Sequence, residues 1–473
     1  MRKILFLLPV AILFLVGSCQ TNTPESKAKY IFLFIGDGMG MNQAYATELY
    51  LAALDNKHGN EALSFSDFPV QSYVTTYSAN SLITCSSAAI TAIATGHKTN
   101  NGVLNKDTSL AIKYETIAEK AQKAGYKIGI LSSVAIDHAT PAGYYAHQDS
   151  RNMYYEISME MPESGFDYFG GGGFHNPKGL NDSMPDAFEN AVAKGYTIVN
   201  TKKGFDALKN GDKKVFAINP KTYPKGEFYW EIDKVDSSIS LAEFTKKGIE
   251  VLENPKGFFM MVEGGKIDWA CHSDDIATSI HETLAFDKAV AEAIKFYKKH
   301  PDNTLILVTA DHETGGIGVG NDKPLRLGLL QHQKISAQEF GRRLTNFKQN
   351  NPKASFDDVM ALVEKYFGLG NESKGLGLDD NELAFLHEAY VAEFINKTKV
   401  NPDKDYLEHF SDINITNRAI YLMSEKTGIG WTTFGHTGTP VPIRALGQGQ
   451  EYFKSCIDNT DIPKIIEKLM DIQ

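Results

Sequence analysis

Four short apolar runs occur along the chain, and each stops abruptly at polar or glycine-rich sequence. They are YIFLFIGDG at residues 30–38, YKIGILSS at 126–133, GFFMMVEGG at 257–265 and TLILVTADH at 304–312. Continuous apolar runs of this length are typical of strands that are buried on both faces, as in a parallel sheet. Amphipathic helical patterns precede the second and fourth runs, at residues 113–125 and 280–300. This alternation predicts an α/β fold with a wide, mostly parallel central sheet flanked by helices.

Side chains that can bind a metal or a substrate accompany the end of every predicted strand. They are Asp37 in the first run, His138 and Thr140 after the second, Glu263 in the third, and Asp311 and His312 in the fourth. In open α/β sheets, ligands bind at the carboxyl ends of the strands. We therefore expect these side chains to converge on one site.

A different pattern covers residues 325–412, which are rich in charge and in helical periodicity and contain polar and glycine-rich breaks. This pattern predicts a helical insertion or cap. The metal-binding core is then expected to consist of residues 30–324 and 413–473.

The first residues, MRKILFLLPVAILFLVGSCQ, have the layout of an export signal over residues 1–18. The stretch VGSC resembles a bacterial lipobox, which implies that Cys19 becomes the lipidated N-terminus and that residues 19–29 form a tether. This predicts an exported lipoprotein, periplasmic or at the cell surface, with a lipid anchor in a membrane. The alternative is an ordinary secretory signal with an incidental cysteine.

The composition limits the kinds of molecule that the protein is expected to bind. The chain has 473 residues and a formal net charge of −10, without a basic stripe, so we expect no nucleic-acid binding. Only Cys85, Cys271 and Cys456 follow the signal region, which predicts a fold held by its hydrophobic core and not by disulfides. An acidic protein that acts on anions needs local cations, and metal ions can supply them.

The segment TCSSAAITAIATG, residues 84–96, places Ser86 and Ser87 where a helix of small and apolar residues is predicted to begin. A serine at that point can cap the helix, because its hydroxyl accepts a hydrogen bond from a free backbone N–H. It can also be a nucleophile at the positive end of the helix dipole, facing an anionic substrate. The segment alone leaves both roles open.

Three further segments carry metal-ligand residues. VEGGKIDWACH places Asp268 and His272 four residues apart, close enough in a turn or helix to bind one metal. ADHETGG supplies Asp311 and His312, and FGHTGTPVP supplies His436. Oxygen and imidazole ligands without thiolate suit zinc and magnesium in an open catalytic arrangement. Two such ions can stabilise an in-line phosphoryl displacement.

The order of these motifs resembles that of the alkaline phosphatase family. The matching segments are IGDGMG, a serine at a helix start followed by TAIATGHKTNNG, HATPAGYYAHQDSRN, VEGGKIDWACH, TADHETGG and HTGTPVP. The resemblance spans residues 30–442, with the predicted insertion between the last two motifs. It implies the family's α/β fold, two zinc ions, one magnesium ion and a serine that becomes phosphorylated.

Carried over by position, the resemblance assigns each metal its ligands. They are Asp268, His272 and His436 for the first zinc; Asp37, Asp311, His312 and Ser86 for the second; and Asp37, Thr140 and Glu263 for the magnesium. Ser86 is the implied nucleophile, and Ser87 is the alternative. The planar guanidinium of Arg151 would bind the phosphate through two parallel hydrogen bonds.

Two departures from the family pattern lie beside this site. The residue before the nucleophile is often an aspartate that orients the arginine, and here it is Cys85, which leaves the positioning of Arg151 open. His138 and Trp269 stand where well-known bacterial members have aspartate and lysine. An imidazole near the third metal favours zinc or cobalt there over magnesium.

The sequence therefore predicts a metal-dependent phosphomonoester hydrolase that acts through a phosphoserine and releases inorganic phosphate. Small phosphomonoesters are the expected substrates, and a homodimer is left open. A phosphodiesterase of the same superfamily is one alternative. The other is a non-catalytic, lipid-anchored protein that binds phosphate or metal.

Overall fold

A computed structural model describes residues 27–396 and 414–472. The predicted signal peptide, Cys19, most of the predicted tether and the end of the predicted insertion lie outside the described residues. Within them, no helix is both long enough and apolar enough to cross a membrane.

The described residues contain fourteen strands. They are β1 (Tyr30–Gly36), β2 (Val70–Thr75), β3 (Lys127–Ser132), β4 (Tyr168–Gly171), β5 (Thr197–Val199), β6 (Val215–Ile218), β7 (Phe258–Gly264), β8 (Thr304–Thr309), β9 (Glu313–Thr314), β10 (Gly318–Val319), β11 (Ile429–Gly430), β12 (His436–Thr437), β13 (Val441–Gly447) and β14 (Ile457–Asp458).

Fifteen α-helices lie in the same part of the chain. They are α1 (Met41–Leu54), α2 (Ser86–Thr95), α3 (Ile117–Lys123), α4 (Ala139–Ala142), α5 (Tyr154–Glu160), α6 (Ala187–Ala193), α7 (Lys202–Ala207), α8 (Leu241–Leu252), α9 (Lys266–Cys271), α10 (Ile276–Tyr297), α11 (Ala337–Asn350), α12 (Phe356–Phe367), α13 (Asp380–Tyr390), α14 (Ile415–Thr427) and α15 (Asp461–Met470).

Ten of the strands form one twisted sheet in the order β14-β2-β13-β8-β1-β7-β3-β4-β6-β5. The strands pair in parallel except for β13, which is antiparallel to both β2 and β8. Every residue of β1, β7 and β8 is buried, as expected for strands covered on both faces by helices. The predicted fold class, a wide and mostly parallel α/β sheet, is confirmed.

The register of the central strands positions the site. Ile35 of β1 pairs with Glu263 of β7 and with Thr309 of β8, so the three parallel strands end at the same level. β3 continues this alignment, because Ser132 pairs with Glu263. The loops after these four strands therefore emerge together at one edge in the middle of the sheet.

Helix boundaries follow local capping more closely than hydrophobic periodicity. The helix predicted at residues 280–300 begins instead at Ile276, because the Asp275 side chain accepts a hydrogen bond from Thr278 N. The helix predicted at 113–125 begins at Ile117, after a capping box in which Thr116 and Glu119 bond to each other's backbone.

Residues 325–396 form the helices α11, α12 and α13 with shorter helical turns between them. This segment contacts the rest of the chain at Asp275, whose carboxylate accepts hydrogen bonds from Gln333 Nε2 at 2.8 Å and Ala337 N at 2.9 Å. Trp230 also donates a hydrogen bond to Gln338 at 2.6 Å. The boundaries of the insertion stay a prediction.

Candidate active site

A first cluster of ligand side chains combines α9 with the C-terminal part of the chain. His272 Nε2 lies 3.2 Å from His436 Nε2 and 3.3 Å from Asp268 Oδ2. His436 Nε2 lies 3.6 Å from Asp268 Oδ1. The three side chains offer ligand atoms within 4.8 Å of one another, which is a spacing that one metal ion can fill.

The opposite ring nitrogens of these histidines contact backbone carbonyls. His272 Nδ1 lies 2.5 Å from Phe434 O, and His436 Nδ1 lies 2.8 Å from Thr84 O. A carbonyl only accepts, so each Nδ1 carries a proton, and in the neutral ring each Nε2 then keeps a free lone pair. Such hydrogen bonds fix the tautomer and the ring orientation that a metal site requires.

A second cluster lies beside the first, at the ends of β1 and β8. His312 Nε2 is 3.2 Å from Asp311 Oδ2 and 3.5 Å from Asp37 Oδ1. All three side chains are fully buried. Asp37 Oδ1 and Asp311 Oδ2 have no hydrogen-bond partner. The other oxygen of Asp311, Oδ1, accepts hydrogen bonds from Gly38 N and His312 N. Two unpaired carboxylate oxygens facing one imidazole nitrogen fit a bound cation.

A third group surrounds the other oxygen of Asp37. Thr140 Oγ1 lies 3.5 Å from Asp37 Oδ2, and Glu263 joins Asp37 and His138 in a set of mutually close ligand atoms. Ser132 Oγ donates a hydrogen bond to Glu263 Oε2, but Glu263 Oε1 and His138 Nδ1 have no partner. This group therefore contains all three predicted magnesium ligands, and His138 lies directly beside them.

The carboxyl groups of the site have pKa values that are shifted from their usual range. Burial and the neighbouring acids raise the pKa of Asp37 well above its usual range, and burial raises the pKa of Glu263 to about 8 and that of Asp311 to about 7. Burial also acts to raise the pKa of Asp268, but His272 and His436 outweigh it and hold that pKa well below the usual range. A group of buried acids stays ionised at neutral pH only when cations offset their charges.

Ser86 is the first residue of α2 and is almost fully buried. Its Oγ lies 3.2 Å from His312 Nε2, which places it next to the second cluster. The N-cap position belongs to Cys85, and no side chain caps the helix there. The capping role considered for the two serines is therefore wrong. Ser87 Oγ instead lies 3.1 Å from Cys85 Sγ.

Arg151 contacts the site through His138, because its Nη2 lies 3.1 Å from His138 Nε2. Its backbone N donates to Gly102 O at 2.8 Å, and Gly102 N donates to Cys85 Sγ at 3.1 Å. Gly102 thus connects Cys85 to the backbone of Arg151, while the guanidinium contacts an imidazole. The Trp269 ring lies edge-on to His138, with 5.7 Å between the ring centroids.

Two residues of the site were missed in the sequence. Thr314 Oγ1 donates to Asp268 Oδ1 at 2.5 Å and lies 3.2 Å from His312 Nδ1, so it links the first two clusters. Ser132 orients Glu263, as described above. Thr314 lies within ADHETGG, two residues after the proposed ligand His312. This short distance in sequence from a ligand was the available signal. Ser132 is the last residue of β3, so its position at the carboxyl end of a predicted strand was the available signal.

The model of the alkaline phosphatase family matches residues 28–171 and 181–472, so the chain belongs to this family. It is similar to alkaline phosphatase 3 of Bacillus subtilis, with 30% identity over 98% of this chain and 96% of the relative. Its activity is accordingly that of an alkaline phosphatase, the hydrolysis of phosphomonoesters, and the family implies metal cofactors.

Two solved structures have a similar fold. A cold-active alkaline phosphatase from a psychrophilic Shewanella species matches with a TM-score of 0.75 and 26% identity, covering 93% of this chain and 99% of that one. The alkaline phosphatase of Thermus thermophilus matches with a TM-score of 0.76 at 23% identity, covering 98% and 96%.

Proposed function

We propose that this phosphomonoester hydrolase is metal-dependent and works through a covalent phosphoserine on Ser86. The observation that carries the proposal is the position of Ser86 Oγ, 3.2 Å from His312 Nε2 and at the N-terminus of a ten-residue helix. This location combines a nucleophile with a ligand cluster and with the positive end of a helix dipole.

The donor sets fit three metal ions. Asp268, His272 and His436 would hold one zinc ion, and Asp37, Asp311 and His312 would hold a second that Ser86 also contacts. Asp37, Thr140 and Glu263 would hold magnesium, or zinc or cobalt if His138 contributes its free Nδ1. The unpaired oxygens of Asp37, Asp311 and Glu263 support this assignment. When bound, the metals would lower the pKa of the Ser86 hydroxyl and offset charge on the phosphoryl oxygens.

The residues of the chain then have distinct tasks. Ser86 Oγ attacks phosphorus from the side opposite the ester oxygen, so that an O–P bond forms to serine while the bond to the alcohol breaks, and the alcohol leaves with a proton. Backbone N–H groups at the start of α2 and the guanidinium of Arg151 bind the phosphoryl oxygens. Water attacks the phosphoserine in the second displacement, which releases inorganic phosphate and restores Ser86.

Acid quenching of the enzyme during turnover of a labelled phosphomonoester tests the proposal. We expect labelled phosphoserine in the wild type and in Ser87→Ala, and none in Ser86→Ala with its metal content unchanged. Label that persists in Ser86→Ala but disappears in Ser87→Ala would assign the nucleophile to Ser87. Turnover without any trapped phosphoserine would contradict the covalent route, and faster cleavage of a diester would favour the phosphodiesterase alternative.

We also propose that the enzyme is exported and anchored to a membrane through a lipidated Cys19. The support is the sequence pattern alone, with a basic start, an apolar stretch and VGSC before residue 20. The polar residues that follow would separate the anchor from β1.

A further inference from the structure

Glu313 is a buried carboxylate that the proposed chemistry does not use. It follows His312 directly and is only 5% exposed. Its Oε1 accepts hydrogen bonds from Gln43 Nε2 at 2.9 Å and from Gly316 N at 3.0 Å, and its Oε2 accepts one from Thr437 Oγ1. All three of these donors are neutral. Hydrogen bonds to a buried ionised acceptor are strong, so removing the carboxylate affects every segment that it holds.

One of these segments is the turn formed by residues 313–317. Gly315 and Gly316 adopt left-handed backbone angles, with φ of +88° and +57°, and the hydrogen bond from Gly316 N to Glu313 fixes this turn. Gly315 O then accepts from Thr432 N at 3.0 Å, and Gly315 N donates to Gly435 O at 2.9 Å. The turn therefore supports the loop that precedes His436.

The second segment is β12, which carries His436 itself. β12 pairs with β9 so that His436 lies opposite Thr314 and Thr437 lies opposite Glu313. The side chain of Glu313 adds a hydrogen bond to the hydroxyl of Thr437. Glu313 thus holds the chain on both sides of His436, in part through Thr437, which lies 124 residues further along the sequence.

Gln43 extends the contact to two further parts of the site. Its Nε2 donates to Thr314 O at 2.8 Å and lies 3.8 Å from the sulfur of Cys271, the neighbour of His272. The loop after β1 also packs closely here, since a Cβ at Gly40 would lie 2.4 Å from Glu313 Cγ. Glu313 is therefore in contact with the segments around His312, His436 and Asp37.

We propose that Glu313 is a positioning residue that sets the zinc affinity of the first cluster by holding His436 in place. The proposal rests on the proposed function, because it assumes that Asp268, His272 and His436 bind zinc. Without the carboxylate, the 313–317 turn and β12 lose the hydrogen bonds that Glu313 accepts and keep only their backbone contacts. Part of the free energy of zinc binding is then needed to order His436, which lowers the zinc affinity. Loss of a residue that orients a metal ligand typically weakens binding about 10–100-fold.

Chelator-competition titrations of zinc with the full-length protein, combined with metal analysis, test this role. We expect Glu313→Ala to bind one of its two zinc ions about 10–100-fold more weakly, with activity recovering at high free zinc. Glu313→Gln should stay within about threefold of the wild type, because its amide oxygen still accepts from Gln43 and Gly316 and its NH₂ can donate to the Thr437 hydroxyl.

Thr437→Val and Thr439→Val form a matched pair in the same loop. The first removes the hydroxyl that contacts Glu313 and should weaken the same zinc ion, without adding to the effect of Glu313→Ala when the two are combined. The second removes a hydroxyl that lies 3.2 Å from Thr437 Oγ1. The Thr437 hydroxyl keeps its own bond to Glu313 in this variant, so zinc binding should stay unchanged. Should Glu313→Ala not fold, the difference between these two valine variants decides the question.

The outcomes separate the two proposals. Two zinc ions bound with wild-type affinity in both Glu313→Ala and Thr437→Val would overturn the role of Glu313 while leaving the metal assignment intact. Activity that does not recover with added zinc would also overturn it, because the defect would then lie outside metal binding. A wild-type protein that binds fewer than two zinc ions would contradict the proposed function itself.

Discussion

The proton on Glu263 gives the sharpest test of the site's electrostatics. Burial raises the pKa of this carboxyl from 4.5 to about 8 in the metal-free fold. The folded state therefore holds a proton that the unfolded chain releases near pH 4.5. The stability that this proton contributes is complete at low pH and is lost as the pH rises toward 8. Glu263→Gln removes the titration while keeping an acceptor for the Ser132 hydroxyl.

The expected change in the free energy of unfolding follows from one proton, which the folded state binds and the unfolded state does not at these pH values. Each pH unit between the two pKa values changes the free energy of unfolding by about 1.4 kcal/mol. Because Glu263 is fully buried, solvent screening does not reduce this figure. Between about pH 6 and pH 7.5, metal-free Glu263→Gln should therefore gain about 2 kcal/mol relative to the metal-free wild type.

Urea unfolding of the EDTA-treated proteins at these two pH values measures the difference through the midpoint and the slope m. Glu250→Gln, at an exposed glutamate, serves as the control and should follow the wild type. With metals restored, the wild type should become the more stable protein, because an ionised Glu263 then faces a cation and an amide does not. A gap between the metal-free proteins that is the same at both pH values would refute the reasoning.

Three further outcomes are expected. His138→Asp should retain more magnesium after equilibration with mixed magnesium and zinc, since a carboxylate is a harder neighbour than imidazole; metal analysis measures this. Arg151→Lys should raise the inhibition constant of inorganic phosphate about tenfold or more, because an ammonium lacks the two-pronged donor geometry. Cys19→Ala should move the enzyme out of the membrane fraction with its specific activity unchanged, and unchanged membrane association would contradict lipidation.

The central sheet was predictable because its strands are buried on both faces, and that condition leaves continuous apolar runs in the sequence. All four runs are strands of the sheet. The antiparallel β13 was missed, since its residues include Arg444 among apolar neighbours and lack the uninterrupted pattern. A strand that places a charged side chain under a helix cannot be distinguished from a loop by hydropathy alone.

The candidate site was predictable where ligands lie close to one another in sequence or directly after a strand, as Asp268 with His272 and Asp311 with His312 do. The contact between His138 and Arg151 was not, because it joins two loops thirteen residues apart with no periodic relation. The two roles of Ser86 were inseparable for a different reason. An N-cap and the first helical residue are neighbours in the chain, and only the backbone angles distinguish them.

The late position of His436 affects when the enzyme can become active. During synthesis every other proposed ligand leaves the ribosome first, and the first cluster lacks its third side chain until β12 has emerged and paired with β9. Folding and metal uptake are coupled in such a site. A chain that has been made only as far as β8 can pair the seven strands from β8 to β5 in the sheet order and still lack a working centre. Phosphatase activity is therefore restricted to molecules in which His436 has been made and β12 has paired with β9.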